Sequence, residues 1–147
     1  VLNLNGSTVK DWRLEGCPEL KLVMLTSLGI GSVYDGYRVK KLDLGPLLKH
    51  YMSSEEPPII YISDKHDIRV EDSITDYDKL PKRVRERIIQ YSYGTVDIFV
   101  FLDVGEKTGE EARRDPVYRE YRELSELYGE EVSSLHADLR PPPDRNL

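Results

Sequence analysis

An almost unbroken apolar run lies between Gly94 and Gly105, and it covers residues 97–102. Its residues are mainly Val, Ile and Phe, while Asp97 lies near its start and Asp103 at its end. A short apolar run between glycines is typical of a strand that is buried on both faces. Such a strand needs helices above and below its sheet, so this segment indicates an α/β fold.

Three other segments also have the pattern of strands. Residues 19–27 and 59–63 are rich in large apolar side chains, and residues 37–44 alternate between polar and apolar. The alternation in residues 37–44 changes phase after Val39, which predicts a bulge near Lys40 and Lys41. We interpret residues 19–27 and 37–44 as the two strands of an N-terminal hairpin.

The apolar spacing predicts two helices before the central run. Pro46 is well placed at the first position of a helix, and the side chains that would face the core are Leu44, Leu47, Leu48 and Tyr51. A second helix is expected to begin at Asp76 or Asp78 and to continue to about Ser92. Its predicted buried stripe consists of Leu80, Val84, Ile88 and Tyr91.

The sequence pattern of the C-terminal third predicts one long helix. Thr108 and Glu111 have the spacing of a capping box, and the pair Asp115–Pro116 restarts or extends the helix. The apolar residues of this helix follow one face and are Val117, Tyr121, Leu124 and Tyr128. Gly129 is the expected end of the helix, because glycine favours the position after the last turn.

These elements predict one α/β domain over residues 1–138, although an α+β arrangement stays open. The expected core is a mixed sheet of about four to six strands with helices packed on it. Residues 59–104 have the order of a β-α-β unit. The proline-rich residues 139–147 are expected to form an extended or disordered tail.

The amino-acid composition limits the partners, the location and the source that we expect for the protein. The 147 residues carry a net charge of −6, which does not favour nucleic acid as a partner, although it leaves a nuclease open. No apolar run is long enough to cross a membrane, and Cys17 is the only cysteine. Glutamine and asparagine are rare while charged residues are abundant, a bias seen in hyperthermophiles. We therefore expect a thermophile-like protein of the cytoplasm.

Acidic residues follow two of the predicted strands. Asp64 comes directly after residues 59–63, and Asp103 comes directly after residues 97–102. If these strands are parallel neighbours, both carboxylates lie at the edge of the sheet where ligands bind. Together with Glu106 they could then hold Mg²⁺ or Mn²⁺ for phosphoryl transfer. The alternative is that each aspartate only hydrogen-bonds its local backbone.

Two further segments have the composition of binding sites. A basic patch, which could contact nucleic acid or an acidic partner, consists of Lys79, Lys82, Arg83, Arg85 and Arg87. A glycine-rich turn with Gly29 and Gly31 could hold an anion through backbone amides. The plainer alternatives are a solvated helix face and a flexible turn.

The chain has ten tyrosines and only two phenylalanines. Tyr118, Tyr121 and Tyr128 lie on the predicted C-terminal helix, and tyrosine is enriched at protein interfaces. We interpret this helix as a surface for a second copy or another protein, with core packing as the alternative. The leading hypothesis is a binding or regulatory module that oligomerises. The alternative is a divalent-metal-dependent phosphoryl-transfer enzyme or nuclease.

Overall fold

A six-stranded mixed sheet forms the centre of the protein in the computed structural model of the chain. The structure describes residues 1–4, 19–26, 32–35, 38–42, 44–64, 74, 77–92 and 97–139. The strands are β1 (Leu2–Asn3), β2 (Leu22–Thr26), β3 (Ser32–Asp35), β4 (Arg38–Leu42), β5 (Ile59–Asp64), β6 (Ile88–Ser92), β7 (Ile98–Phe101) and β8 (Gly105–Thr108). The helices are α1 (Gly45–Lys49), α2 (Lys82–Arg85), α3 (Gly109–Ala112) and α4 (Pro116–Leu139), with a 3₁₀ turn at Tyr77–Lys79.

The main sheet has the order β1-β2-β5-β6-β7-β8. Its first four strands are parallel, whereas β7 is antiparallel to β6 and β8 is antiparallel to β7. The sheet therefore confirms the predicted α/β class, the mixed pairing and the expected number of strands.

A separate hairpin is formed by β3 and β4. Its register shifts where Val33 pairs with Lys41 and Tyr34 with Val39, so Lys40 is the extra residue of a bulge. The predicted return strand and its irregularity are thus confirmed. Its partner is β3 and not the segment that contains β2, because β2 pairs with β1 and β5 inside the main sheet.

One face of the sheet is covered by α1 and α2. Alternate residues such as Val23 and Ile60 point to this face, where they pack with Leu47 of α1 and Val84 of α2. The predicted stripe of α1 is fully confirmed, since Leu44, Leu47, Leu48 and Tyr51 are all buried. Pro46 lies in the first turn, as expected from its lack of a backbone donor.

The opposite face is covered by α3 and α4. Buried Met24 and Phe99 of the sheet pack here with Ala112 and Tyr121. The predicted capping box at the start of α3 is present, and the backbone N–H and the hydroxyl of Thr108 both donate to one carboxylate oxygen of Glu111. Helices on both faces make the domain a three-layer structure, as the two-sided apolar strand requires.

The second helix was predicted to continue to Ser92, and this prediction is wrong after residue 85. Residues 82–85 form the short helix α2, and Ile88–Ser92 form the central strand β6. Ile88 and Ile89 point to opposite faces, and each is buried in a different core cluster. A strand between two layers buries both of its faces, which a surface helix cannot do. The parallel β-α-β unit therefore joins β5 to β6, and not β5 to β7.

The last helix is longer than predicted, because α4 continues through Gly129 to Leu139. A glycine inside a helix costs about 1 kcal/mol relative to alanine, and the surrounding helix tolerates that cost here. Of the described glycines, only Gly105 has a positive φ, 99°, and it closes the turn between β7 and β8. The expected tail beyond Leu139 lies outside the described residues.

Candidate functional site

Asp64 and Asp103 lie at opposite edges of the sheet, where an edge is the side along which the ends of the strands lie. Asp64 ends β5, whereas Asp103 lies in the turn after β7, which runs antiparallel to β6 and therefore to β5. From strand spacing and rise, the two backbone positions are about 19 Å apart. The condition for a shared metal ion, two parallel neighbours, is not met. Among the residues that the structure describes, no three acidic, histidine or cysteine side chains form a metal-binding group.

Glu106, the third predicted metal ligand, lies on the outermost strand β8 and is exposed. It pairs in register with Val100, level with the middle of β7, and β8 lies three strands away from β5 and Asp64. The three acids therefore do not gather at one edge of the sheet.

The predicted basic patch does not form one helix face. Lys79 belongs to the 3₁₀ turn, Lys82, Arg83 and Arg85 to α2, and Arg87 to the turn before β6. Arg83 donates to the backbone carbonyls of Ser54 and Met52, over 2.5 and 2.7 Å. These bonds tie α2 to the end of α1, so Arg83 has a structural contact within the domain.

Of the predicted site residues that the structure describes, Asp64 lies at the edge of the sheet where β2, β5 and β6 end. The anion loop with Gly29 and Gly31 lies outside the described residues. The three strands follow each other in sequence order across the sheet, and both connecting helices cover the same face. The order does not reverse along these strands, so they lack the crevice at which open α/β sheets usually bind ligands.

A cleft of about 440 Å³ lies at the other edge of the sheet, where β2, β5 and β6 begin. Its wall contains Arg87, which donates to both carboxylate oxygens of Glu120 over 2.5 and 3.1 Å. Arg87 also donates to the carbonyl of Pro57. The hydrogen-bonded Arg87 guanidinium lowers the pKa of the Glu120 carboxyl. This ion pair holds α4 against the start of β6.

The tyrosines of α4 form an aromatic layer on the sheet. The rings of Tyr61 and Tyr121 are stacked at a centroid distance of 3.9 Å, with 9° between their planes. Tyr118 meets Phe99 edge-on at 5.0 Å, and Tyr128 is partly buried against the same cluster. Tyr121, which we expected at an interface, is thus a core residue, while Tyr118 and Tyr128 are only partly covered.

The stacked phenols of Tyr61 and Tyr121 are close enough for each to affect the pKa of the other. Burial raises the pKa of both phenols, because a phenolate would lose its hydration there. A third sheet tyrosine, Tyr91, donates to the carboxylate of Asp97 over 2.6 Å. Asp97, for which the sequence offered no role, therefore accepts a hydrogen bond beside the aromatic layer.

The first turn of α4 is fixed by Asp115. Its carboxylate accepts hydrogen bonds from the backbone N–H groups of Val117 and Tyr118, as expected for a residue that caps a helix. The same carboxylate binds Lys107 of β8 over 2.8 Å. These contacts anchor the beginning of α4 at the β8 side of the sheet.

The outward side of α4 carries a groove of about 490 Å³. Three arginines, two glutamates and one aromatic ring line it: Arg113, Arg119, Arg122, Glu123, Glu126 and Tyr118. Arg122 and Glu126 are 3.5 Å apart, but their side chains are 56% and 67% exposed, so this ion pair contributes little to stability. Sequence reasoning missed this groove, although the spacing of Arg119, Arg122 and Glu126 marks one helix face.

The length of α4 exceeds the sheet that it covers. Its 24 residues span about 36 Å. The six strands extend over about 24 Å across the sheet, and the longest, with six residues, is about 20 Å long. Because α4 begins at the β8 side, its last turns extend past the sheet. The apolar spacing continues in the sequence of these turns with Val132, Leu135 and Leu139.

The chain matches no protein-family model, no curated protein and no solved structure. Among the helices that the structure describes, none has both the length and the apolar composition that a membrane-spanning helix requires.

Proposed function

We propose that the protein is a binding or regulatory module that acts as an oligomer, with α4 as its association surface. The observation that carries this proposal is the length of α4 relative to the sheet. A helix that ends beyond its own sheet, with an apolar stripe continuing in its sequence, favours a further surface that buries that stripe. A second protein chain supplies such a surface.

The charge distribution supports the same proposal. Arg119 and Arg122 are exposed on the outward side of α4, and arginine is enriched at protein interfaces. Leu127 of α4 is also exposed, by 56% of its area. By contrast, Arg83 and Arg87 of the predicted basic patch are bonded within the domain. Binding of nucleic acid through that patch therefore has less support than protein association through α4.

The alternative of a metal-dependent phosphoryl-transfer enzyme or nuclease loses its geometric support. It relied on Asp64 and Asp103 at one edge of the sheet, and the antiparallel course of β7 separates them. We keep the cytoplasm as the proposed location and a thermophile as the proposed source, and both rest on the composition alone.

Sedimentation velocity of the whole chain over a wide range of concentrations tests the proposal. We expect a species of twice the chain mass that dissociates on dilution. A chain that remains monomeric at high concentration would contradict the proposed oligomer. The variant V132E/L135E should dissociate the oligomer and leave the free energy of unfolding of the monomer nearly unchanged. If this variant stays folded and keeps the oligomer, the overhanging helix is not the association surface.

A further inference from the structure

We propose that two copies of the chain pair through antiparallel α4 helices, so that the acidic half of each helix lies in the arginine-lined groove of the other. This inference rests on the proposed function and specifies the partner of the outward, charged face of α4, whereas Val132, Leu135 and Leu139 continue the face of Tyr121 in the sequence. The partner is a second copy, and the argument is the charge complementarity of α4 with itself.

The two halves of the helical region carry opposite charge. Residues 113–124 contain four arginines and three acidic residues, whereas residues 125–139 contain four acidic residues and no lysine or arginine. Two acids of the first half, Asp115 and Glu120, are already paired with Lys107 and Arg87. The first half therefore presents mainly positive charge to another molecule, and the second half presents negative charge.

The outward face of α4 repeats this division. Arg119 and Arg122 lie on the face opposite the buried Tyr121, and Glu126 and Glu130 continue the same face toward the C-terminus. All four side chains are exposed. One helix face thus changes from positive to negative along its length, next to the groove of about 490 Å³.

A two-fold axis brings identical surfaces together. If the helices were parallel, each arginine would face the same arginine of the other copy, and each glutamate the same glutamate. Like charges opposite each other oppose association. In the antiparallel arrangement, Arg119 and Arg122 of each copy face the acidic half of the other copy. The charge pattern therefore selects the antiparallel pair.

The middle of α4 allows two helices to approach closely. A Cβ atom added at Gly129 would have no atom within 4 Å, so this side of the helix is open. The distance between packed helices depends on the side chains at the contact, and glycine gives the shortest. Gly129 lies within the acidic half of α4, between Glu126 and Glu130.

Charge reversal of each end tests the pairing. The variants R119E/R122E and E130R/E131R each place like charges at both ends of an antiparallel homodimer. We expect each variant to raise the dissociation constant roughly tenfold or more, which sedimentation equilibrium measures. A mixture of the two variants should form a heterodimer as stable as the wild-type homodimer, because every contact then joins opposite charges.

The variant E55R/E56R is the matched control. It changes the net charge as much as E130R/E131R does, but Glu55 and Glu56 line the cleft at the edge of the sheet and not α4. Its dissociation constant should equal that of the wild type. Circular dichroism should show the same helix content for all variants.

The outcomes separate this inference from the proposed function. A wild-type dimer whose affinity no charge reversal changes would overturn the α4 pairing and leave the oligomeric module in place. A wild-type chain that stays monomeric at high concentration would overturn both. Two variants that dissociate alone and associate only when mixed would establish the antiparallel pair.

Discussion

The ring of Tyr121 on α4 lies parallel to the ring of Tyr61 on β5, and only 3.9 Å separate their centroids. This pair joins the longest helix to the longest strand of the main sheet. Tyr121 is 8% exposed, and Leu22, Met24 and Ile59 lie in the same cluster. The stack therefore holds α4 against β5 of the sheet.

Replacement of Tyr121 by alanine should destabilise the domain by about 3 kcal/mol, since it removes a buried ring and leaves a cavity. Urea unfolding at low protein concentration measures this loss. The control L127A removes an exposed side chain of the same helix and should change the free energy of unfolding by less than about 0.5 kcal/mol. Equal effects of the two substitutions would show that Tyr121 does not anchor α4.

The domain should lose stability at alkaline pH. The pKa of Tyr61 and of Tyr121 is raised by burial, whereas an unfolded tyrosine has a pKa of about 10. Above that pH the unfolded chain releases protons that the folded chain keeps, so the stabilisation present below about pH 10 is lost as the pH rises. Phenolate absorbance should rise together with unfolding, and Y61F should move the transition to higher pH. A late phenolate signal from chains that remain folded would contradict this coupling.

The Arg87–Glu120 ion pair should stabilise the protein at neutral pH but not at acidic pH. The pKa of Glu120 is lowered, so this contribution is present above its unfolded value, about 4.3, and is lost as the pH falls. Because the Glu120 side chain is 41% exposed, we expect E120Q to cost only about 0.5–1 kcal/mol at pH 7.

The variant E126Q is the control for E120Q, because it removes a more exposed ion pair with a single contact of 3.5 Å. Its free energy of unfolding should stay near that of the wild type at every pH. Urea unfolding between pH 3 and pH 7 compares the two variants. An E120Q deficit that persists at low pH would mean that the lost contribution is not the ion pair.

Divalent metals should not act through Asp103. Because Asp103 and Asp64 occupy opposite edges of the sheet, Mg²⁺ or Mn²⁺ should change the melting temperature of D103N and of the wild type by the same amount. Differential scanning fluorimetry with each metal, and with EDTA as the reference, measures the difference. A metal-dependent rise in the wild type that D103N abolishes would restore the enzyme hypothesis.

The melting temperature itself tests the thermophile hypothesis. Domains from mesophiles usually melt at about 45–65 °C, and we expect this domain to melt above that range. Scanning calorimetry at neutral pH gives the value. A midpoint inside the mesophilic range would leave the scarcity of amides without a thermal explanation.

The sequence predicted the layers of the fold better than its connections. The run at residues 97–102 identified a strand between two helical layers, because continuous burial leaves no polar face. The same property concealed β6, since the spacing of Leu80, Val84 and Ile88 imitates a helical stripe. In the structure, Leu80 and Val84 precede β6, Ile88 is its first residue, and all three pack in the same core cluster. A short helix followed by a strand can therefore show the same apolar spacing as one continuous helix. The adjacent pair Ile88–Ile89 was the local signal for the strand.

Strand order and direction could not be predicted, and the proposed metal site depended on both. Nothing in the residues around Asp103 indicates that β7 runs antiparallel to β5, because that direction follows from β6 lying between them. The end of α4 was also missed, since Gly129 favours a helix end by propensity alone. The apolar spacing after Gly129 was the stronger signal, and the helix continues along it to Leu139.

Gln90 is the only glutamine of the chain, and it lies at the centre of β6 with 1% of its area exposed. Hydrolysis of a side-chain amide requires water at the carbonyl carbon, which the folded core excludes. Deamidation of Gln90 therefore proceeds only from molecules that have opened globally. The mass increase at this single residue during prolonged heating would therefore measure how often the whole domain unfolds.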